Sequence, residues 1–244
     1  MEAPGGIIKD VAENYPDLLR DESRRTGRAD TVSLPRTEKE LRSQLALMHS
    51  KNIPVTIQGA RTGITGGAVP DGGHIINLSR FNGVAGMGPD GRSMVVQPGV
   101  LLADLRKTIA GETGGKYWFP PDPTETSASL GGMVACNASG ARSFRYGPTR
   151  DYVLRLRIVL ADGSVLELAR GREKAIGRQF ELIDSGGRKI SGMLPAYEMP
   201  QVKNAAGYYA RDNMDLIDVF IGSEGTLGVV SEIELKLVPQ PPVI

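Results

Sequence analysis

Glycine in this chain is bunched, and the bunching limits what the chain can fold into. Residues 58–67 (QGARTGITGG), 130–140 (LGGMVACNASG) and 222–228 (GSEGTLG) carry little side-chain volume for a core and many flexible positions. Each follows or flanks a stretch that reads as strand. Backbone N–H groups in such loops can approach an anion closely, and Thr62, Thr65, Ser139 and Thr226 add hydroxyl donors. One such loop is most simply a surface turn. Three of them in 244 residues point to a large phosphorylated ligand.

Between the loops the pattern alternates strand and helix. Residues 1–30, rich in Arg, Asp and Glu, read as a polar helix and lead-in. A first unit, residues 31–90, opens on a strand at 31–34. Thr37 with Glu40 three residues on gives a capping-box start, and Leu41, Leu45 and Met48 put one apolar face on the helix that follows. Strands are expected at 53–57 and 75–78. A second unit, residues 91–240, has a strand at 93–97, a helix at 101–109 and an extended proline-rich run at 119–126. A hairpin follows at 153–168 around Ala161-Asp162-Gly163-Ser164. Its last strand, 229–238, alternates Ile233, Leu235 and Leu237 with Glu232, Glu234 and Lys236, and ends at Pro239-Gln240-Pro241-Pro242.

Composition excludes several classes. A net charge of +1 gives no reason to invoke nucleic acid or an anionic membrane. No apolar run approaches the roughly 20 residues of a membrane span, and the start lacks a basic-then-apolar leader, so the default location is the cytoplasm, with peripheral membrane attachment through a partner left open. Cys136 is alone, which excludes a disulfide framework. With only His49 and His74 beside it, it makes no zinc site of the usual ligand count, and no metal is expected. His74, next to Ile75-Ile76, reads as structural.

Two nucleotide motifs can be tested directly. A G-x-G-x-x-G fingerprint does not match glycines at 59, 63, 66 and 67 with no clear helix after them. A P-loop fails at 111–116, where Ala110 and Tyr117 stand in place of the first glycine and the hydroxyl.

Five pieces in fixed order resemble one family. They are the glycine loop at 59–67, Pro120-Pro121-Asp122-Pro123, Gly131-Gly132 leading to Asn137-Ala138-Ser139-Gly140, Tyr146-Gly147 with Arg150-Asp151-Tyr152-Val153, and the run from Gly222 to Val229. Together they resemble the FAD-binding domain of the FAD-linked oxidases, the vanillyl-alcohol oxidase and p-cresol methylhydroxylase type. Within it the chain is similar to the branch of D-lactate dehydrogenase and the glycolate oxidase flavoprotein subunit. The resemblance covers about 31–239. It implies an α+β fold of two lobes with FAD held between them.

It also implies roles. Gly59, Ala60, Arg61, Thr62 and Gly63, closed by Gly66 and Gly67, would wrap the pyrophosphate. Pro121, Asp122, Ser129, Gly131 and Gly132 would line the middle of the cofactor. Asn137, Ser139 and Gly140 would continue toward the isoalloxazine, with Tyr146 and Gly147 nearby. Glu224, Gly225, Thr226, Gly228 and Val229 would contact the adenine side or the ring edge. Arg61 stands where relatives often carry a small residue or Asn, and either meets the pyrophosphate or turns to solvent. The first loop has no His or Cys, and Cys136 reads as a buried structural thiol, so FAD is expected to be non-covalent.

The parent reaction implied is oxidation of a D-2-hydroxy acid, with hydride passing to the flavin and electrons to a quinone or partner protein. The groups that hold such a substrate belong in that branch to a cap domain after the FAD domain. Here they are expected from a missing cap or a partner subunit. Arg150, Lys203, Tyr208 and Arg211 are polar candidates near the flavin, none assigned a catalytic role. A catalytically silent flavin-binding module and a flavoprotein like alkyl-dihydroxyacetone-phosphate synthase are the alternatives.

Overall fold

The described residues open on a strand rather than a polar helix. In the computed structural model, which describes residues 6–202, 204–205 and 207–242, β1 (Ile7–Lys9) pairs antiparallel with β2 (Thr31–Ser33). Between them stand one helical turn, α1 (Val11–Asn14), and a 3-10 turn at Pro16–Leu19. β3 (Val55–Gln58) and β4 (His74–Asn77) complete a sheet of order β1-β2-β4-β3, in which β4 runs parallel to both neighbours. Parallel strands need crossovers: α2 (Glu38–Ser50) carries the chain from β2 to β3, and the segment 59–73 with the first glycine loop brings it back to β4. Thr37 Oγ1 accepts from Glu40 N at 3.2 Å, as the capping pattern requires. Glu40 reaches back one residue further than expected, to Arg36 N at 2.7 Å.

The second sheet is antiparallel. β5 (Val84–Met87) and β6 (Ser93–Val96) form one side of it, and β7 (Tyr117–Trp118) lies outside it. β8 (Val153–Val159) and β9 (Val165–Ala169) form the expected hairpin. β10 (Gln179–Ile183) and β11 (Lys189–Met193) make a separate two-stranded ribbon. β12 (Val229–Lys236) inserts between β6 and β8, giving the order β5-β6-β12-β8-β9, and β13 (Val238–Pro239) pairs with β7. Val229, Ile233 and Leu235 of β12 are buried with Leu237 beyond it, as the alternation predicts.

Packing joins the two sheets. Alternation along β4 sends Ile75 to one face and Ile76 to the other. Ile76 joins Leu41 and Leu45 of α2, Leu78, and Val159, Val165 and Val229 of the second sheet in one cluster. Ile75 packs with Val11, Leu18, Leu19 and Val32. The segment from Val11 to Leu19 therefore covers a face of the first sheet, which its scattered apolar residues concealed. The largest cluster, centred on the second sheet, takes in Leu102, Leu105 and Ile109 of α3 (Leu102–Thr113). It also holds Leu130, Met133 and Val134 of α4 (Leu130–Ala135), a short helix where a loop was expected. Polar contacts reinforce the joint. Glu38 of α2 accepts from Arg157 Nε at 2.6 Å and from Ser231 Oγ at 2.8 Å, and Arg42 Nε donates to Gly163 O at 2.8 Å. Burial pushes the Glu38 carboxyl up, but the Arg157 and Ser231 hydrogen bonds outweigh it and hold its pKa below the usual value.

His74 is fully buried, with Nδ1 2.7 Å from Thr31 Oγ1 and Nε2 2.8 Å from Ser33 Oγ. Ser33 gives its hydroxyl hydrogen to Gln44 Oε1, so Nε2 carries the ring proton and donates to Ser33. Burial lowers the His74 pKa from 6.5 to about 4. Such a group is neutral in the fold and protonated in the unfolded chain across that interval. Its contribution is intact above 6.5 and lost as pH falls to about 4, a change of roughly 3 kcal/mol. His74→Gln is expected to flatten the decline in urea midpoint across that pH range; an unchanged slope would remove His74 as its cause.

Candidate cofactor site

The first glycine loop leaves β3 at Gln58, and that buried side chain fixes both of its ends. Gln58 Nε2 donates to Ala68 O and to Leu18 O, each at 2.7 Å, while Gln58 Oε1 accepts from Asn77 Nδ2 at 3.3 Å. The loop, its return and the N-terminal segment thus meet on one amide. A second buried side chain holds the loop to the other sheet. Ser129 Oγ accepts from Ala60 N at 3.2 Å and from Gly132 N at 3.3 Å, capping α4 with the same atom. Close approach explains two glycines. A β-carbon on Gly59 would lie 2.2 Å from Ser129 Oγ, and one on Gly131 would lie 2.6 Å from Pro98 Cβ.

A cavity of about 510 Å³ opens between the sheets at this junction. Gly59, Ala60, Arg61, Thr62, Gly63 and Gly67 line one side, and Ser129, Gly131, Gly132 and Ser139 another. Glu224, Gly225, Gly228 and Val229 close it. Ile57, Leu78, Met133, Phe220 and Val230 give it an apolar wall. Among the described residues, the amides of Arg61, Thr62, Gly63, Ile64 and Thr65 donate to no protein acceptor. Five consecutive unpaired donors beside an apolar wall match a ligand carrying both phosphate and flat aromatic groups. FAD has both, and the residues present fit it. Arg24, Arg61 and Glu224, all on the cavity, have φ of 65°, 60° and 53°, so left-handed backbone concentrates here.

Other residues named from sequence stand elsewhere. Asn137 and Gly140 line a neighbouring cavity of about 640 Å³ that shares Ser139. Pro121 and Asp122 lie back from the first cavity, where the Asp122 carboxylate meets Arg106 at 2.7 Å and Arg142 at 3.4 Å. Gly66 (φ 83°) is behind the loop, near Ser23 and Arg25. Tyr146 packs edge-on against Trp118 and its carbonyl accepts from Tyr152 Oη at 2.6 Å, with Gly147 beside Asp151. Thr226 Oγ1 bonds Ser223 O and Tyr208 Oη. Arg150 and Arg211 line that neighbouring cavity too; Arg150 pairs with buried Asp218 at 3.0 Å, and both lie over the Tyr209 ring. Lys203 lies outside the described residues.

Two expectations change. The Arg61 backbone stays in the loop, but its guanidinium turns to the N-terminal segment: Nη1 donates to the carbonyls of Asp17 and Arg20, and Nε is buried without an acceptor. Cys136 is exposed on the cavity wall instead of buried, because α4 ends one residue before it. Crowding by the surrounding chain, with the Glu224 carboxylate nearby, pushes its thiol pKa up. Asp21, Glu22 and Arg24 of the N-terminal segment also line the cavity, and no sequence pattern marked them.

The Gly59–Ser129 contact makes a quantitative prediction. Gly59→Ala should cost roughly 1–3 kcal/mol in urea unfolding through the clash, and Ser129→Ala about 1 kcal/mol through the lost cap. Because the second change removes the atom that the first one strikes, the double variant should lose less than the sum. Additive losses would mean that the two residues do not meet.

Comparison with known proteins bears on the family and the fold. A family model described as "FAD binding domain" matches residues 29–169. D-lactate dehydrogenase of Anaerostipes hadrus is 35% identical over 92% of this chain and 40% of its own length. Glycolate oxidase subunit GlcD of Bacillus subtilis is 32% identical over 87% of this chain and 37% of its own. The chain thus spans about two-fifths of the length of these relatives. Among solved structures, an alkyldihydroxyacetonephosphate synthase superposes with a TM-score of 0.71 at 21% identity, over 99% of this chain and 39% of that one, a likeness of fold. The glycine loops, the two-sheet α+β fold and the matched family model converge on one assignment: the chain belongs to the FAD binding domain family of FAD-linked oxidoreductases.

Proposed function

We propose that FAD lies extended across the cavity between the sheets, with its pyrophosphate on the unpaired amides of Arg61 to Thr65. That run of free donors is the observation that carries the reading. Gly131 and Gly132 let the cofactor's middle approach the backbone. Ser139 leads toward the neighbouring cavity, where Asn137 and Gly140 stand on the ring side. Glu224, Gly225, Gly228 and Val229 hold the opposite edge, and Pro121, Asp122, Tyr146, Gly147, Gly66 and Thr226 act behind these contacts by shaping the loops.

The chemistry that FAD supplies when bound is two-electron oxidation by hydride removal from a substrate carbon. By its likeness to D-lactate dehydrogenase and to the glycolate oxidase subunit, the substrate class is a small D-2-hydroxy acid, with a quinone or partner protein as electron acceptor. The groups that clamp the substrate carboxylate and take its hydroxyl proton are assigned to a further domain or a partner subunit. His49 stands on α2 and His74 is fully buried at the start of β4, so neither can serve.

Heat-released cofactor chromatographed against standards should be FAD and not FMN. Apo-protein that binds neither on titration would sink the reading. Mixed anaerobically with D- and L-2-hydroxy acids, the FAD-loaded chain should keep its oxidised spectrum while dithionite bleaches it. Rapid, saturable bleaching by any hydroxy acid would place the substrate groups within these residues.

A further inference from the structure

A groove of about 650 Å³ runs beside α2 and the edge strand β1, and it shares no lining residue with the cofactor cavity. Ile7, Ile8, Leu34 and Leu47 line it and are each half-buried. Arg36, Lys39 and Arg80 line it too, and all three are exposed. Among the described residues none of these cations has an ion pair, a side-chain hydrogen bond or a ring contact. The acid among the lining residues, Glu40, turns its carboxylate to Arg36 N at 2.7 Å. On the second sheet the arrangement differs: Arg155 meets Glu232 and Arg157 meets Glu38, each at 2.6 Å. Positive charge at the groove is thus not neutralised within the described chain, and the aliphatic residues set behind it are only partly covered.

We propose that this groove docks an acidic segment of a partner protein. Aliphatic side chains of the segment sit on Ile7, Ile8, Leu34 and Leu47, and its carboxylates face Arg36, Lys39 and Arg80. Charge complementarity selects the sign of the partner. A bare polyanion would satisfy the cations and leave the aliphatic surface wet, so the occupant has to carry both features. The aliphatic residues are set back while the cations project, the reverse of what insertion into a bilayer needs. The groove has no aromatic side chain on which a nucleic-acid base could stack. Among the described residues β1 has β2 as its strand neighbour, which leaves its other edge open to an extended segment.

Fluorescence anisotropy of a rhodamine-labelled peptide alternating Leu and Glu, titrated with the chain, tests the proposal. The peptide should bind saturably, and a Ser–Glu peptide of the same length about 10-fold more weakly. Lys39→Glu combined with Arg80→Glu should weaken the Leu–Glu peptide about 10-fold. The urea midpoint should stay the same, because both side chains are exposed and have no protein partner to lose. Failure of the wild type to bind the Leu–Glu peptide overturns the proposal, as does a double variant that binds like wild type. Equal affinity for the two peptides overturns it by reducing the groove to a patch of counter-charge. A midpoint that falls with the affinity assigns the cations to the fold instead. Vesicles of phosphatidylcholine and phosphatidylserine that bind as tightly, with the same loss in the double variant, would replace the partner protein by a membrane. A dimer seen in sedimentation and abolished in the double variant would replace it by a second copy of this chain.

Discussion

A loop whose amides have no protein acceptor must be held in shape by something other than its own backbone. Two buried polar side chains do this. Gln58 spends its carboxamide on three separate segments, and Ser129 spends one oxygen on Ala60 of the loop and Gly132 of α4. Each is satisfied within the protein, so neither competes for a ligand, and the donors of residues 61–65 stay available. Losing either would let the loop collapse onto itself or onto solvent.

That arrangement works only if the two sheets keep a fixed distance. The shared cluster of Ile76, Leu41, Leu45, Val159, Val165 and Val229 supplies the cohesion, which is non-directional. Direction comes from Glu38, whose carboxylate takes hydrogen bonds from Arg157 and Ser231, and from Arg42 on Gly163 O. The cavity between the sheets is then a consequence of packing with glycine on both sides: Gly59 and Gly131 bring the backbones together without filling the space that remains.

Much of this was legible in the sequence where the pattern is local. The alternation of Ile233, Leu235 and Leu237, the turn at 161–164 and the cap at Thr37 depend on neighbours a few residues away, and each forms where expected. The glycine loops could be placed too, since their density is a local fact. What escaped depends on distant partners. α4 has glycine at two of its six positions, which argues against helix, yet the Ser129 cap and the fit of Gly131 against Pro98 override propensity. Cys136 looked buried among small residues, but burial there is set by the cavity and not by composition. Asp21 and Arg61 found their surroundings across some forty positions of sequence, a separation at which no periodicity operates.

The segment at Pro16–Leu19, with Asp21 to Arg24 after it, has two faces, one on the first sheet and one on the cavity. Peeling it away would strip Ile75 of its cover and open the cavity in the same event, so local unfolding of the segment and release of a ligand held there are thermodynamically linked. Holo-protein should protect the exposed Arg24–Arg25 bond from proteases to the extent that ligand binding suppresses the opening. In this chain the packing of residues 16–24 and the occupancy of the cavity are one equilibrium viewed from two sides.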